Sequence, residues 1–184
     1  MIVESTAIPE VKVIQPRVHG DARGGVAESY SAPRFAEHGL PTQFPQDNLS
    51  YSAAAGTVRG LHFQRPPHAQ GKLVTVLAGA IVDVAVDLRP DSPTWGRHVA
   101  VRLSSADWRQ LYIPAGFAHG FCTLTPGTTV HYKVTDVYAP QCEDGLAWDD
   151  PQLGIAWPVD PAEAVLSDKD RRWPTLAELA PMPA

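Results

Sequence analysis

Lysine is scarce in this chain. Lys12, Lys72, Lys133 and Lys169 are the only four among 184 residues, and 15 Lys plus Arg face 20 Asp plus Glu, a formal charge of −5 with histidine neutral. So little positive charge argues against nucleic acid or an anionic membrane surface as the main partner. A small anionic ligand needs only a few local cations and stays open. No apolar run approaches the roughly 18 residues of a spanning helix. No basic segment followed by an apolar run opens the chain, so no signal peptide is expected and a cytoplasmic location is. Cys122 and Cys142 are the only cysteines. Two cysteines can make one bridge, but they read more naturally as free thiols in a reducing compartment. Cys-x-x-Cys, His-Glu-x-x-His and His-x-His spacings are all missing, and His62 and His68 are separated by Pro66-Pro67, poor geometry for one chelate. No metal site is expected. A Gly-x-Ser-x-Gly elbow and a phosphate-binding glycine loop are missing too.

What is present is ordinary for a folded protein: 44% hydrophobic and 19% charged residues. The length suits one domain with a real core, and no linker, repeat or composition break divides residues 1–184. The 18 prolines and 14 glycines fall between short apolar runs. Those runs alternate with period 2. In Ile81–Leu88, Val82, Val84, Val86 and Leu88 share one face, and Asp83 and Asp87 the other. Further strands are expected over Lys72–Leu77, His98–Leu103, Gln110–Ile113, Phe117–Leu124 and Thr129–Tyr138, separated by proline and glycine turns. Helix is expected only as short pieces: Ala32–His38, a turn over Ser104–Arg109 capped by Ser104, and Pro174–Leu179. Many short strands imply an all-β sandwich or barrel, of which the jelly roll is one form.

Several polar residues lie in strand-like surroundings. They are Arg23 and Glu28; Gln46, Asp47 and Asn48; Arg59 and His62; Lys72; His119; Tyr132 and Lys133; and Lys169 and Asp170. Each has a bland explanation when taken alone. His119, between Phe117 and Phe121 on one face of an extended chain, is either a satisfied core histidine or a site residue. Arg59 and His62 would point to opposite faces of a regular strand, so both can serve one site only if Gly60 permits an irregularity.

Taken together, the segments form an ordered set: D-x-R-G-x-x-x-E (Asp21 to Glu28), QDN (Gln46–Asn48), RGLHFQ (Arg59–Gln64), GKLV (Gly71–Val74) and DVAVDLR-x-x-SPT-x-G (Asp83–Gly96). IP-x-GFAHGF (Ile113–Phe121), YK-x-T-D-x-Y-x-P (Tyr132–Pro140) and S-x-KD (Ser167–Asp170) complete it. In these motifs, from about Val18 to Pro174, the sequence resembles the dTDP-4-dehydrorhamnose 3,5-epimerase family, enzymes of dTDP-sugars on a cupin-type jelly roll. The resemblance implies that His62 is a general base paired with Asp170, that Tyr132 is the general acid, and that Lys72 lies beside the keto oxygen of the substrate. It places Arg23, Glu28, Gln46, Asp47, Asn48, Arg59, His119, Tyr138, Glu143 and Lys169 around the nucleotide-sugar. It also implies a homodimer that exchanges N-terminal strands, so that some of these residues act on the partner's site, and it calls for no cofactor. The sequence departs from the family pattern at Val26, where an aromatic is usual, and at Ala53-Ala54-Ala55, where a basic residue is common.

The implied chemistry is sound. In a dTDP-4-keto-6-deoxyhexose the C4 ketone acidifies the hydrogens at C3 and C5, because either carbanion is delocalised onto O4. Inversion needs a base on one face, an acid on the other and charge stabilisation at O4. An imidazole, with an ordinary pKa near 6.5, suits the first, a neutral phenol the second and an ammonium the third. Arg23, Arg59 and Lys169 are the cations for a diphosphate. Epimerisation at C3 alone or C5 alone is the alternative reading; a metal-dependent cupin enzyme and a non-catalytic sugar-nucleotide binder are remoter ones.

Overall fold

A computed structural model describes residues 1–180 of the chain. Thirteen strands and one α-helix follow in order: β1 (Ile2–Ser5), β2 (Lys12–Gln15), β3 (Val18–Asp21), β4 (Gly24–Ala27), α1 (Ala32–Glu37), β5 (Gln46–Ser52), β6 (Val58–Gln64), β7 (Lys72–Ala78), β8 (Ala80–Asp87), β9 (His98–Ser104), β10 (Gln110–Ile113), β11 (Phe117–Thr123), β12 (Thr128–Val134) and β13 (Glu143–Gly145). They build a six-stranded sheet ordered β1-β2-β10-β7-β12-β5, a five-stranded sheet ordered β13-β6-β11-β8-β9, and a separate hairpin β3-β4. All strand pairs are antiparallel. The alternating runs implied an all-β sandwich or barrel and the family resemblance a cupin-type jelly roll, and this is the fold observed.

The two sheets face each other across one apolar interior. Val74, Val76, Leu111, Ile113 and Val130 enter it from the larger sheet, and Ile81, Ala85, Val99, Phe117 and Phe121 from the smaller. The smaller sheet is covered on its outer face as well. Leu61, Phe63, Val84, Val86 and Leu88 pack there against Leu146, Leu153 and Leu176 of the C-terminal segment. Strand β8 is therefore buried on both sides. Its apolar stripe points away from the barrel, and its aspartates point inward: Asp83 and Asp87 are both 0% exposed. Asp87 ends the strand among Arg89, Ser92 and Thr94, whose hydrogen bonds overcome the burial that opposes ionisation and hold its carboxyl at about 2. The outer face of the larger sheet is only partly covered, by Phe35 of α1 and by Leu40 over Ile14 and Leu73. Leu49, Tyr51 and Leu77 remain exposed on it.

Three local expectations need correction. Pro174–Leu179 forms no helix; it makes one turn, with Leu179 N bonded to Thr175 O, while Leu176 inserts into the core. Ser104 caps nothing, being the last residue of β9. The turn after it is held instead by Asp107, whose Oδ1 accepts from Ser104 N and Arg109 N. The strand expected to reach Tyr138 stops at Val134, where Thr135 and Asp136 bend the chain. Both cysteines are buried and unbridged.

Candidate active site

The site is built on β6. His62 pairs with His119 of β11, but Arg59 pairs with Phe121, so β6 carries one residue more than its neighbour between these points. That bulge centres on Gly60, at φ 134°. A Cβ there would lie 2.5 Å from Gly120 Cα, so glycine is required for both the backbone angle and the close approach. The extra residue brings Arg59 and His62 to the same side, and both line one cavity of about 670 Å³ between the sheets. The irregularity expected at Gly60 is present.

His62 stands on the smaller sheet, and one ring nitrogen lies 2.6 Å from Asp170 Oδ1. Asp170 is buried, which opposes its ionisation, but the His62 ring and Ser167 outweigh burial and keep the carboxyl below its ordinary value. A carboxylate on one nitrogen fixes the tautomer and leaves the other nitrogen for the cleft. Trp173 packs edge-on to the ring, with centroids 6.1 Å apart.

Lys72 and Tyr132 come from the facing sheet, on neighbouring strands β7 and β12. Burial drives the Lys72 ammonium down to about 8, against the pull of Asp83 and Glu143. Its Nζ donates to the His62 carbonyl oxygen at 3.0 Å. Burial raises the Tyr132 phenol above its ordinary value, with Arg59 opposing and Glu143 assisting, so it stays protonated at neutral pH. His62, Lys72 and Tyr132 also line an adjoining lobe of about 190 Å³, which continues to Gln46, Asn48, Tyr138 and Glu143. The three groups therefore sit where the two lobes meet.

The lobe is closed by a polar chain. Tyr138 OH donates to Glu143 Oε2 at 2.7 Å, and Lys169 Nζ lies 2.5 Å from Glu143 Oε1. Gln46 bonds Asn48 through its amide nitrogen and accepts from Tyr138 N through its oxygen. At the other rim Arg59 is tethered to Tyr51 O and Ser52 Oγ. Two carboxylates, two imidazoles, a phenol and a buried ammonium can move protons on either face of a bound ring. Among the described residues, no three His, Cys, Asp or Glu side chains converge as metal ligands would.

A search against family models matches residues 5–178 to dTDP-4-dehydrorhamnose 3,5-epimerase. The chain belongs to this epimerase family. A relative of that name from Sinorhizobium fredii is 50% identical over 179 residues, covering 97% of this chain and 91% of its own. A crystal structure of dTDP-4-dehydrorhamnose 3,5-epimerase from Bacillus anthracis, with TDP and PPi bound, superposes with a TM-score of 0.92 at 50% identity, over 95% of this chain and 99% of that one. A Legionella pneumophila epimerase in complex with dTDP-4-keto-L-rhamnose gives 0.92 at 44% identity, over 100% and 98%.

Within this epimerase fold, the expected site residues divide into two groups. His62, Lys72, Tyr132 and Asp170 meet in the cleft with Arg59, His119 and Lys169, and Gln46, Asn48, Tyr138 and Glu143 line the adjoining lobe. Arg23, Glu28 and Asp47 do not join them. Arg23 lies in the tip of the β3-β4 hairpin, bonded among the described residues only to Asp21, with its side chain 90% exposed. Glu28 pairs with Arg34 beyond the same hairpin. Asp47 alternates away from Gln46 and Asn48 and binds Lys133 Nζ at 2.8 Å on the outer face of the sheet. One residue was missed by sequence reasoning: Asp83, bonded to His119 at 2.6 Å. Its signal was an acidic residue repeated at even spacing within an apolar strand.

Proposed function

We propose that this chain, as a single domain over residues 1–184, is a dTDP-4-dehydrorhamnose 3,5-epimerase. It inverts C3 and C5 of dTDP-4-keto-6-deoxy-D-glucose to give dTDP-4-keto-L-rhamnose, in the cytoplasm and without a metal or organic cofactor. The observation that carries this reading is the junction of the two lobes, where the His62 imidazole on one sheet faces the cleft shared with the Tyr132 phenol and the Lys72 ammonium on the other.

In this mechanism His62, held by Asp170, removes the proton from C3 or C5. The electrons move onto O4, and Lys72 stabilises the resulting enolate, a kind of preorganised contact that typically contributes about 3–4 kcal/mol. Tyr132 returns a proton to the carbon from the opposite face, inverting it. Arg59 and Lys169 offer the charge for the diphosphate.

The same reading includes a homodimer. The exposed Leu49, Tyr51 and Leu77 lie on the outer face of the larger sheet, which carries a groove of about 690 Å³ bounded by Tyr30, Leu77 and Trp108. Association through this face would bury that apolar surface. It would also give Arg23 and Glu28, idle in their own subunit, a role in the partner's cleft.

The test is incubation of the protein with the keto sugar and an NADPH-dependent 4-keto reductase. Appearance of dTDP-L-rhamnose supports the assignment; consumption of the keto sugar without that product, or no reaction, overturns it.

A further inference from the structure

Asp83 occupies the middle of β8, 0% exposed, on the inward face of a strand whose other residues before Asp87 are apolar. Its Oδ1 lies 2.6 Å from His119 Nε2, and its Oδ2 is buried with no hydrogen-bond partner among the described residues. A buried carboxylate oxygen without a partner is costly and asks for an explanation beyond packing. The His119 ring does not neutralise it, because burial pushes that imidazole below its ordinary pKa and leaves it uncharged at neutral pH.

Lys72 faces it from the opposite sheet. The charged and titratable groups that share the two lobes with this ammonium, or act on it, are Asp83 on β8, His119 on β11, Arg59 and His62 on β6, Glu143 on β13, Tyr132 on β12, Tyr138, and Lys169 and Asp170 of the C-terminal segment. Most are already engaged. Glu143 is paired with Lys169 at 2.5 Å, Asp170 with His62 at 2.6 Å, and Tyr132 is a neutral phenol. Asp83 is the carboxylate in this set that no other cation offsets.

Resting on the epimerase reading above, we infer that Asp83, anchored by His119, is a positioning residue that keeps Lys72 charged and aimed into the cleft. The arrangement has a clear physical logic. A contact ion pair would occupy the ammonium and pull it from the substrate. Asp83 instead acts across the barrel, and among the described residues Lys72 makes one hydrogen bond, to the His62 carbonyl oxygen. Its remaining donors stay free for an oxyanion at O4. Burial drives the Lys72 pKa down to about 8, and Asp83 is the larger of the two opposing attractions. Without that charge, burial would push the amine further down.

The experiment compares wild type with Asp83→Asn, which keeps an oxygen for His119 and removes the charge. The expected result is an alkaline limb of kcat that moves down by about one pH unit, with kcat falling about twofold at pH 7 and about fivefold at pH 8, and KM little changed. Asp83→Glu, which restores the charge, recovers part of the shift. An unchanged alkaline limb in a folded Asp83→Asn protein overturns the inference. A second measurement needs no variant at this position: 13C-lysine NMR of wild type, where four lysines give a simple spectrum and Lys72→Arg assigns the signal. Lys72 titrating near pH 8 supports the inference, and a Lys72 already neutral at pH 7 contradicts it. Both NMR outcomes are independent of turnover, so a failure of the epimerase reading would show separately, as a wild type that does not convert the keto sugar.

Discussion

His62 and Asp170 stand 108 residues apart in the chain, and their side chains meet at 2.6 Å. The pairing depends on the C-terminal segment, which crosses the outer face of the smaller sheet and returns Ser167 to Asp170 to the mouth of the cleft. In the proposed mechanism one residue supplies the base and a distant one fixes its orientation.

Asp170→Asn keeps the shape of this pair and removes its charge. The asparagine can present an N–H to the imidazole, which favours the wrong tautomer, and it no longer stabilises the imidazolium formed on proton abstraction. Turnover is expected to fall about 10²–10⁴-fold. Affinity for dTDP, measured by calorimetry, should change little.

Tyr132→Phe removes the opposing acid and leaves the base intact. His62 can still remove a proton and return it from the same face, so solvent deuterium should continue to enter the keto sugar while net inversion falls about 10²-fold or more. Loss of exchange and inversion together would show that Tyr132 is needed for the first proton transfer too. Mass spectrometry of recovered substrate and product separates the two outcomes.

Lys72→Met should abolish turnover and yet stabilise the fold. The folded-state pKa of Lys72, about 8, lies below the ordinary 10.5. The folded protein therefore binds this proton less tightly than the unfolded chain does. The cost to stability is largest below pH 8 and fades as the pH rises toward 10.5. At pH 7 the variant should gain about 1–3 kcal/mol in denaturant unfolding, a gain that shrinks as the pH is raised toward 10. A methionine variant less stable than wild type at pH 7 would contradict this account of the burial.

Gly60→Ala tests the bulge. Its Cβ would meet Gly120 Cα at 2.5 Å at a φ of 134°. The expected cost is about 2–4 kcal/mol of stability. Because relief of the clash must move β6, the variant should also lose dTDP affinity through Arg59 and activity through His62. Thermal melts and binding measured on the same sample check both.

Much of this architecture was legible in the residues. Period-2 runs separated by proline and glycine located β7 to β12, and the clash between strand alternation and a shared role for Arg59 and His62 pointed to an irregularity at Gly60. The five strands before residue 53 escaped notice because β1 to β5 are short or lie at sheet edges, where Ile2–Ser5 and Gln46–Ser52 mix charged, polar and apolar residues without a clean buried face. The inward direction of Asp83 was hidden for the opposite reason. Alternation shows that two faces differ, but not that the apolar one is covered by a distant C-terminal segment while the acidic one faces the barrel. The placement of Arg23 and Glu28 outside the cleft could not be read from motif order, since order along the chain carries no information about where a hairpin lies relative to the cleft.

The central claim is that one imidazole takes protons from both carbons flanking a ketone. Proton NMR of dTDP-4-keto-6-deoxy-D-glucose with the enzyme in D2O tests it most directly, run beside His62→Asn. The account predicts deuterium at both C3 and C5 with wild type and at neither with the variant. Exchange at one carbon alone, or exchange that persists in His62→Asn at the wild-type rate, would contradict it.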